Sequence, residues 1–271
     1  MALDFAEAFT ERTPRVVNAA KLKRAAGRKK ANLFLAEGEN AVEAAVATGA
    51  ATDLFVTEDA AHSFAEIVTT ADYMNVYTHA ITAKAAEYLS DTVTTTGIFA
   101  VCRPVTWKLS QVLKGKPKLI AVCVEAADPG NAGTIIRLAD ALGADAVLFA
   151  GDTVDPESPK VVRSTAGSLF HVPVVRDRDI ARALGQIRDA GLQLAATTMN
   201  GEVFLDEADE ILEKPTAWLF GNEAHGLSDE VAQLADYRIS IPIRGSAESL
   251  NLSTAAAICL WESCRNLGDG S

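Results

Sequence analysis

The chain is expected to be an α/β protein in two parts, a C-terminal α/β domain built on a parallel sheet and a smaller N-terminal α/β domain. Three observations predict this. Leu119-Ile120-Ala121-Val122-Cys123-Val124 is uninterruptedly apolar, as a strand covered on both faces is. Beyond it, short apolar runs alternate with stretches of helical periodicity, the order that builds a parallel sheet. Before it, a similar alternation fills about one hundred residues and ends in Pro104–Pro117, a Trp- and Lys-containing stretch bounded by prolines that reads as a linker. The domains are therefore placed at 1–103 and 118–271, with 104–117 between them.

The elements follow in order. Arg15 to Lys30 reads as a basic helix that sets Lys21, Arg24 and Arg28 on one face. Strands are expected at Leu33–Ala36, Asp53–Thr57, Asn75–Tyr77 and Gly97–Cys102, with helices at Asn40–Thr48, Ala60–Thr70 and Ala83–Leu89 between them. In the second domain strands are expected at Leu119–Val124, Ala146–Phe149, His171–Val175, Leu192–Thr197, Ala217–Phe220 and Arg238–Pro242. Helices are expected at Ala132–Leu142, Asp179–Gly191 and Leu252–Leu267, and Glu157–Thr165 and Ser168–Phe170 as short helices or loops.

Composition bounds the function. With 271 residues, 49% hydrophobic and 23% charged, the chain can bury real cores and is not a disordered one. No apolar run approaches a membrane span. Met1-Ala2-Leu3-Asp4-Phe5-Ala6-Glu7 carries acid where a signal peptide carries base, so a cytoplasmic location is expected. The four cysteines form no CxxC pair and have no nearby His, so buried reduced thiols are expected and no metal site.

The net charge of −11 argues against a nucleic-acid partner, but its distribution argues for one. Arg12, Arg15, Lys21, Lys23, Arg24, Arg28, Lys29 and Lys30 lie within one stretch that contains no acid. A merely solvated helix face mixes both signs to gain i,i+4 pairs. An uncompensated basic block favours phosphate contact, and Arg15, Lys21, Arg24, Arg28, Lys29 and Lys30 are the candidate RNA-binding residues.

Chemistry concentrates in three C-terminal motifs. Asn131-Ala132-Gly133-Thr134-Ile135-Ile136-Arg137 opens a helix after a Pro-Gly turn. Leu219-Phe220-Gly221-Asn222-Glu223-Ala224-His225-Gly226-Leu227 and Ile241-Pro242-Ile243 are apolar runs that break into turns, where open α/β sheets bind ligands. Glycines at 221 and 226 permit backbone approach, and Glu223 between them can hold turn amides. In Glu248-Ser249-Leu250-Asn251-Leu252-Ser253, Asn251 offers donors and an acceptor while Ser249 and Ser253 can satisfy loop amides. A nicotinamide-binding sheet would need GxGxxG after a strand, and Asp128-Pro129-Gly130-Asn131-Ala132-Gly133 has the wrong spacing.

Together these motifs resemble the SpoU/TrmH branch of the SPOUT methyltransferases, firmly over Leu119–Arg265 and loosely before that, where Phe34-Leu35-Ala36-Glu37-Gly38 matches a run ending in Glu-Gly. The resemblance implies S-adenosylmethionine-dependent methylation of RNA ribose 2′-hydroxyls, of ribosomal RNA first and transfer RNA as the alternative. A non-catalytic RNA-binding relative is the competing reading. It implies an N-terminal ribosomal-protein-like RNA-binding fold, a trefoil knot formed by the chain after about Gly221, and a homodimer that completes the site. Carried over residue by residue, the catalytic set is Arg137, Asn131, Glu223, Asn251 and Ser253. The cofactor set is Thr197, Leu219, Gly221, Ile241, Ser249 and Leu250, and Arg163 joins the residues that face RNA or the partner. Because an arginine keeps its proton, Arg137 is expected to anchor phosphate and stabilise the developing alkoxide, not to act as a base. His225 occupies a position that the family leaves variable and is not expected to be catalytic.

Overall fold

The structure, a computed structural model, describes residues 3–267; Met1 and Ala2, the start of the stretch read for a leader, lie outside the described residues. The chain divides into two compact units, residues 1–105 with 155–171 and residues 106–154 with 172–271.

The first unit runs α1 (Pro14–Ala20), α2 (Ala25–Ala31), β1 (Phe34–Glu37), α3 (Glu39–Ala47), β2 (Ala51–Val56), α4 (Glu58–Ser63), α5 (Ala65–Tyr73), β3 (Tyr77–Ala80), α6 (Ala83–Leu89) and β4 (Ile98–Cys102). Its sheet has the order β1-β4-β2-β3, with β4 antiparallel to both neighbours and β2 parallel to β3. Val16, Ala19 and Leu22 pack with Ala85 and Leu89 of α6 on Leu35, Phe55, Phe99 and Val101 of the sheet.

Three expectations fail here. The continuous basic helix is broken: α1 stops at Ala20, Lys21–Lys23 form one 3-10 turn, and Arg24 is extended at φ −102°, ψ 139°. Gly27 permits the break by a close approach, since a Cβ there would lie 2.0 Å from the Lys21 carbonyl oxygen. The helix expected over 60–70 divides at Phe64 into α4 and α5. The strand expected at 75–77 starts only at Tyr77, because Asn75 turns the chain at φ 58°.

The second unit contains β5 (Thr106–Trp107), α7 (Leu109–Lys114), β6 (Leu119–Val124), α8 (Pro129–Ala141) and β7 (Ala146–Ala150). A short α9 (Pro159–Ser164) follows in sequence but packs in the first unit. The second unit resumes with β8 (Val174–Asp177), α10 (Ile180–Asp189), β9 (Gln193–Thr197), β10 (Val203–Phe204), α11 (Asp209–Leu212), β11 (Thr216–Phe220), α12 (Asp229–Gln233), β12 (Tyr237–Ser240) and α13 (Leu252–Asn266). All paired strands are parallel, in the order β10-β12-β9-β11-β6-β7-β8-β5.

The stretch read as a linker thus supplies an edge strand, β5, and α7. Strands β6, β7 and β11 are buried along their whole length, as their unbroken apolar sequences require. Leu109 and Val112 of α7 and Ala183, Leu184 and Ile187 of α10 cover one side, while α13 packs on α8 and against β6 and β11. Trp218 at the sheet centre is fully buried and donates its Nε1–H to Ser263 Oγ of α13 at 2.7 Å, which satisfies the one polar atom that burial would otherwise strand. Cys102, Cys123 and Cys259 are buried and their thiols pushed up by it, whereas Cys264, expected buried, is exposed on α13. No helix among the described residues is long and apolar enough to cross a membrane.

Candidate active site

Four neighbouring strands, β12, β9, β11 and β6, end on the same side of the sheet, and the loops that leave them surround a cavity of about 980 Å³. Its walls include Asn131, Thr197, Thr198, Gly221, Glu223, Ile241, Leu250 and Asn251. This is where a parallel sheet leaves a crevice, because successive crossovers depart to opposite faces.

One hydrogen-bonded relay joins the three sequence motifs. Glu223 accepts from the backbone N–H of Ala127 at 3.0 Å and of Asp128 at 3.1 Å, and from Asn131 Nδ2 at 3.2 Å. Asn131 Oδ1 in turn accepts from Asn251 Nδ2 at 3.0 Å. Asn251 Oδ1 accepts from Ser253 Oγ at 2.6 Å and from the backbone N–H groups of Ser253 and Thr254, so Asn251 is the N-cap of α13. The direction of the relay follows from its first member. An ionised carboxylate only accepts, so each amide must turn its NH2 toward Glu223 and its oxygen toward α13.

Burial pushes the Glu223 carboxyl up, but the amides of Ala127, of Glu223 itself and of Asp128, with the Asn131 carboxamide, more than offset this and hold it below the usual carboxylate range. The N-terminal end of α8 beside it adds positive potential. A carboxylate just before a helix is also a candidate for its cap. Ser228 caps α12 instead, and Glu223 reaches across to the turn before α8.

The turn itself depends on its glycines. A Cβ on Gly221 would sit 2.2 Å from the Gly226 carbonyl carbon, and Gly226 has φ 69°. Asn222, unremarked in sequence, closes the turn through paired backbone bonds with Gly226 and donates Nδ2–H to the Glu125 carbonyl at 2.7 Å. Its only signal was its place inside the motif. Thr198, Met199 and Phe204 also line the cavity without having been singled out.

Several expected residues are placed elsewhere. Leu219 is fully buried in the core and does not line the cavity; its carbonyl accepts from Thr197 Oγ1 at 2.9 Å. Ser253 supports Asn251 from behind. Arg137 is exposed on α8, outside the cavity lining. Ser249, Ile241, Gly221, Leu250 and Thr197 do line it.

In the first unit, Lys21, Arg24, Lys29 and Lys30 are exposed, and Arg15 is exposed but paired with Asp53 at 2.8 Å. Arg28 is only 7% exposed and is held by Asp155, so it does not share their surface. Arg163 is bound to the buried Glu37 carboxylate at 3.2 Å.

The cavity suits a cationic, partly apolar ligand. Its lining carries Glu223 and Glu248 but no Lys or Arg, which favours a cation and opposes an anionic pyrophosphate. Ile241, Pro242, Ile243, Leu250, Met199 and Phe204 supply apolar surface, and the buried Thr198 Oγ1 has no protein partner among the described residues. These features fit S-adenosylmethionine, whose sulfonium and ammonium groups are positive and whose adenine is flat and apolar-faced.

A parallel α/β sheet with such a site at its strand ends defines an α/β protein able to bind a small cationic cofactor, and comparison with known proteins makes the class specific. Residues 118–261 match the SpoU rRNA Methylase family, and the chain belongs to that family. Residues 13–100 match the MRM3-like substrate binding domain. Over 86% of this chain and 89% of its own length, the 23S rRNA (guanosine(2553)-2′-O)-methyltransferase RlmP of Bacillus subtilis is 32% identical. Among solved structures, the AdoMet-bound rRNA methyltransferase of Sinorhizobium meliloti superposes with a TM-score of 0.84 at 29% identity, covering 96% of this chain and 98% of that one. AviRb of Streptomyces viridochromogenes, solved with AdoMet, gives 0.80 at 31% identity over 93% and 98%.

Proposed function

We propose that this chain transfers a methyl group from S-adenosylmethionine to a ribose 2′-hydroxyl of ribosomal RNA. The observation that carries the reading is the Glu223–Asn131–Asn251 relay, which fastens three distant motifs around a cavity whose charge suits a sulfonium ligand. The rRNA-modifying activities named for RlmP and for the AdoMet-bound Sinorhizobium meliloti structure support ribosomal over transfer RNA.

The cofactor, when bound, supplies an electrophilic methyl carbon and a leaving group that needs no proton. The protein's part is to position the hydroxyl and to favour loss of its proton. Backbone groups around Gly221, Ile241 and Leu250, with Thr197 and Ser249 beside them, are the proposed cofactor contacts. Glu223, saturated by three donors and held ionised, orders the site and is not the base. Arg137, protonated throughout, anchors a phosphate and stabilises the alkoxide as the proton leaves for a phosphate oxygen or solvent.

Arg137 lies six residues beyond Asn131, about 9 Å further along the helix axis, and outside the cavity lining. A homodimer in which each copy completes the other's site accounts for that position, and Trp261, 56% exposed on the neighbouring α13, supplies apolar surface for such a contact. The division of labour between a substrate-binding first unit and a catalytic second unit, with the stretch 104–117 expected as a linker folded into the second unit as β5 and α7, the trefoil knot and a cytoplasmic location belong to the same proposal.

Calorimetric titration with S-adenosylmethionine, with NADH in parallel, tests the reading first. Saturable binding of the former alone, followed by a new 2′-O-methyl group on unmodified ribosomal RNA, is the expected result. Binding of NADH alone would overturn it.

A further inference from the structure

We infer that Lys21, Arg24, Lys29 and Lys30 form a preorganised surface for RNA phosphates, and that Arg28 with Asp155 positions that surface without itself touching RNA. The inference rests on the RNA reading above.

Arg28 spends its donors inward. Its Nε and Nη2 donate to Asp155 Oδ2 at 3.0 and 2.6 Å, and its Nη1 donates to the carbonyls of Leu22 and Lys23 at 3.1 and 3.2 Å. Those two carbonyls lie at the end of a 3-10 turn, where the chain leaves them without helical partners. A planar fork that grips two carbonyls on one side and a carboxylate on the other fixes the turn against α2, and a lysine cannot reproduce it. Gly27, pressed on the Lys21 carbonyl, closes the fold from the other side.

The consequence is a kink at Arg24 that folds the basic stretch on itself. Lys21 meets only the neutral Asn18 Oδ1, at 2.9 Å, while Arg24, Lys29 and Lys30 have no ion pair among the described residues. Lys23 is different: its ammonium is held by the carbonyls of Tyr88 and Ser90 and lies 3.6 Å from Asp91. Four uncompensated cations on a braced kink approach a phosphate backbone with the chain that carries them already fixed, so that only their own side chains remain to be ordered, which is how preorganisation raises affinity.

The test uses the full chain with unmodified 23S ribosomal RNA transcript and polyuridine as probes, and measures affinity across a salt series. Asp155→Asn removes a negative charge, so simple electrostatics predicts equal or tighter binding. The positioning role predicts binding about ten-fold weaker and a salt slope shallower by about one to two. Arg28→Lys, which keeps the charge and is the milder variant, should weaken binding in the same way. S-adenosylmethionine affinity and far-ultraviolet circular dichroism should stay at wild-type values, so the loss is not general unfolding. Wild-type affinity and slope in both variants would overturn the inference. Wild-type protein that binds neither RNA would instead overturn the RNA reading, and this surface with it.

Discussion

Glu223 is the residue on which the order of the site turns. Its carboxyl is held below its ordinary value of 4.5, so its contribution to stability is complete above the unfolded carboxylate range and fades only as pH falls through the lower folded value. From pH 6 to 9 that contribution is constant. Nuclear magnetic resonance titration should find the Glu223 midpoint below the usual carboxylate range. Glu223→Gln replaces one carboxylate oxygen by an NH2 group, so that either the Ala127 N–H or the Asp128 N–H together with Asn131 Nδ2 loses its acceptor. After allowance for its solvent exposure, the expected loss is about 1 kcal/mol in denaturant unfolding, together with weaker cofactor binding measured by calorimetry.

At the level of elements, α13 and the turn after β11 are each set by one small feature. Asn251 caps α13 and bonds Asn131 with the other end of its amide. Asn251→Ala should therefore lower stability by about 1 kcal/mol, the usual worth of an N-cap, and lower kcat more than a cap elsewhere would, because α8 is released too. Steady-state kinetics set against Ser228→Ala, which removes only the α12 cap, separates the two effects. Gly221→Ala drives a methyl group into the Gly226–Leu227 backbone. The turn must open, and S-adenosylmethionine binding by calorimetry should fall at least about ten-fold, as a loss near 1.4 kcal/mol gives.

For the whole molecule, the placement of Arg137 outside the cavity lining makes an assembly prediction. Arg137→Ala should abolish turnover while leaving cofactor affinity nearly intact, and Gly221→Ala should remove cofactor affinity. If two copies complete each other's sites, mixing the two variants restores roughly a quarter of wild-type turnover, since random exchange makes half of the dimers mixed and each has one whole site. No recovery on mixing would return Arg137 to its own chain's site.

The amino-acid sequence by itself determined the parallel sheet and its motifs. Strands such as β6 and β11 are read because buried parallel strands must be apolar throughout, and the glycines at 221 and 226 because their turn excludes a side chain. Asn131, Glu223 and Asn251 were legible as polar groups at strand and helix ends, but not as bonded to one another across 92 and 120 positions. Only the tertiary structure decided that relay. The same holds for Arg28, whose charge pointed outward in a helical reading and whose guanidinium the fold turns inward to Asp155, 127 positions away. Local patterns report burial and backbone conformation, which act over a few residues. The partner of a polar group is chosen by which distant segments the core brings together, and that choice leaves no periodic trace in the chain.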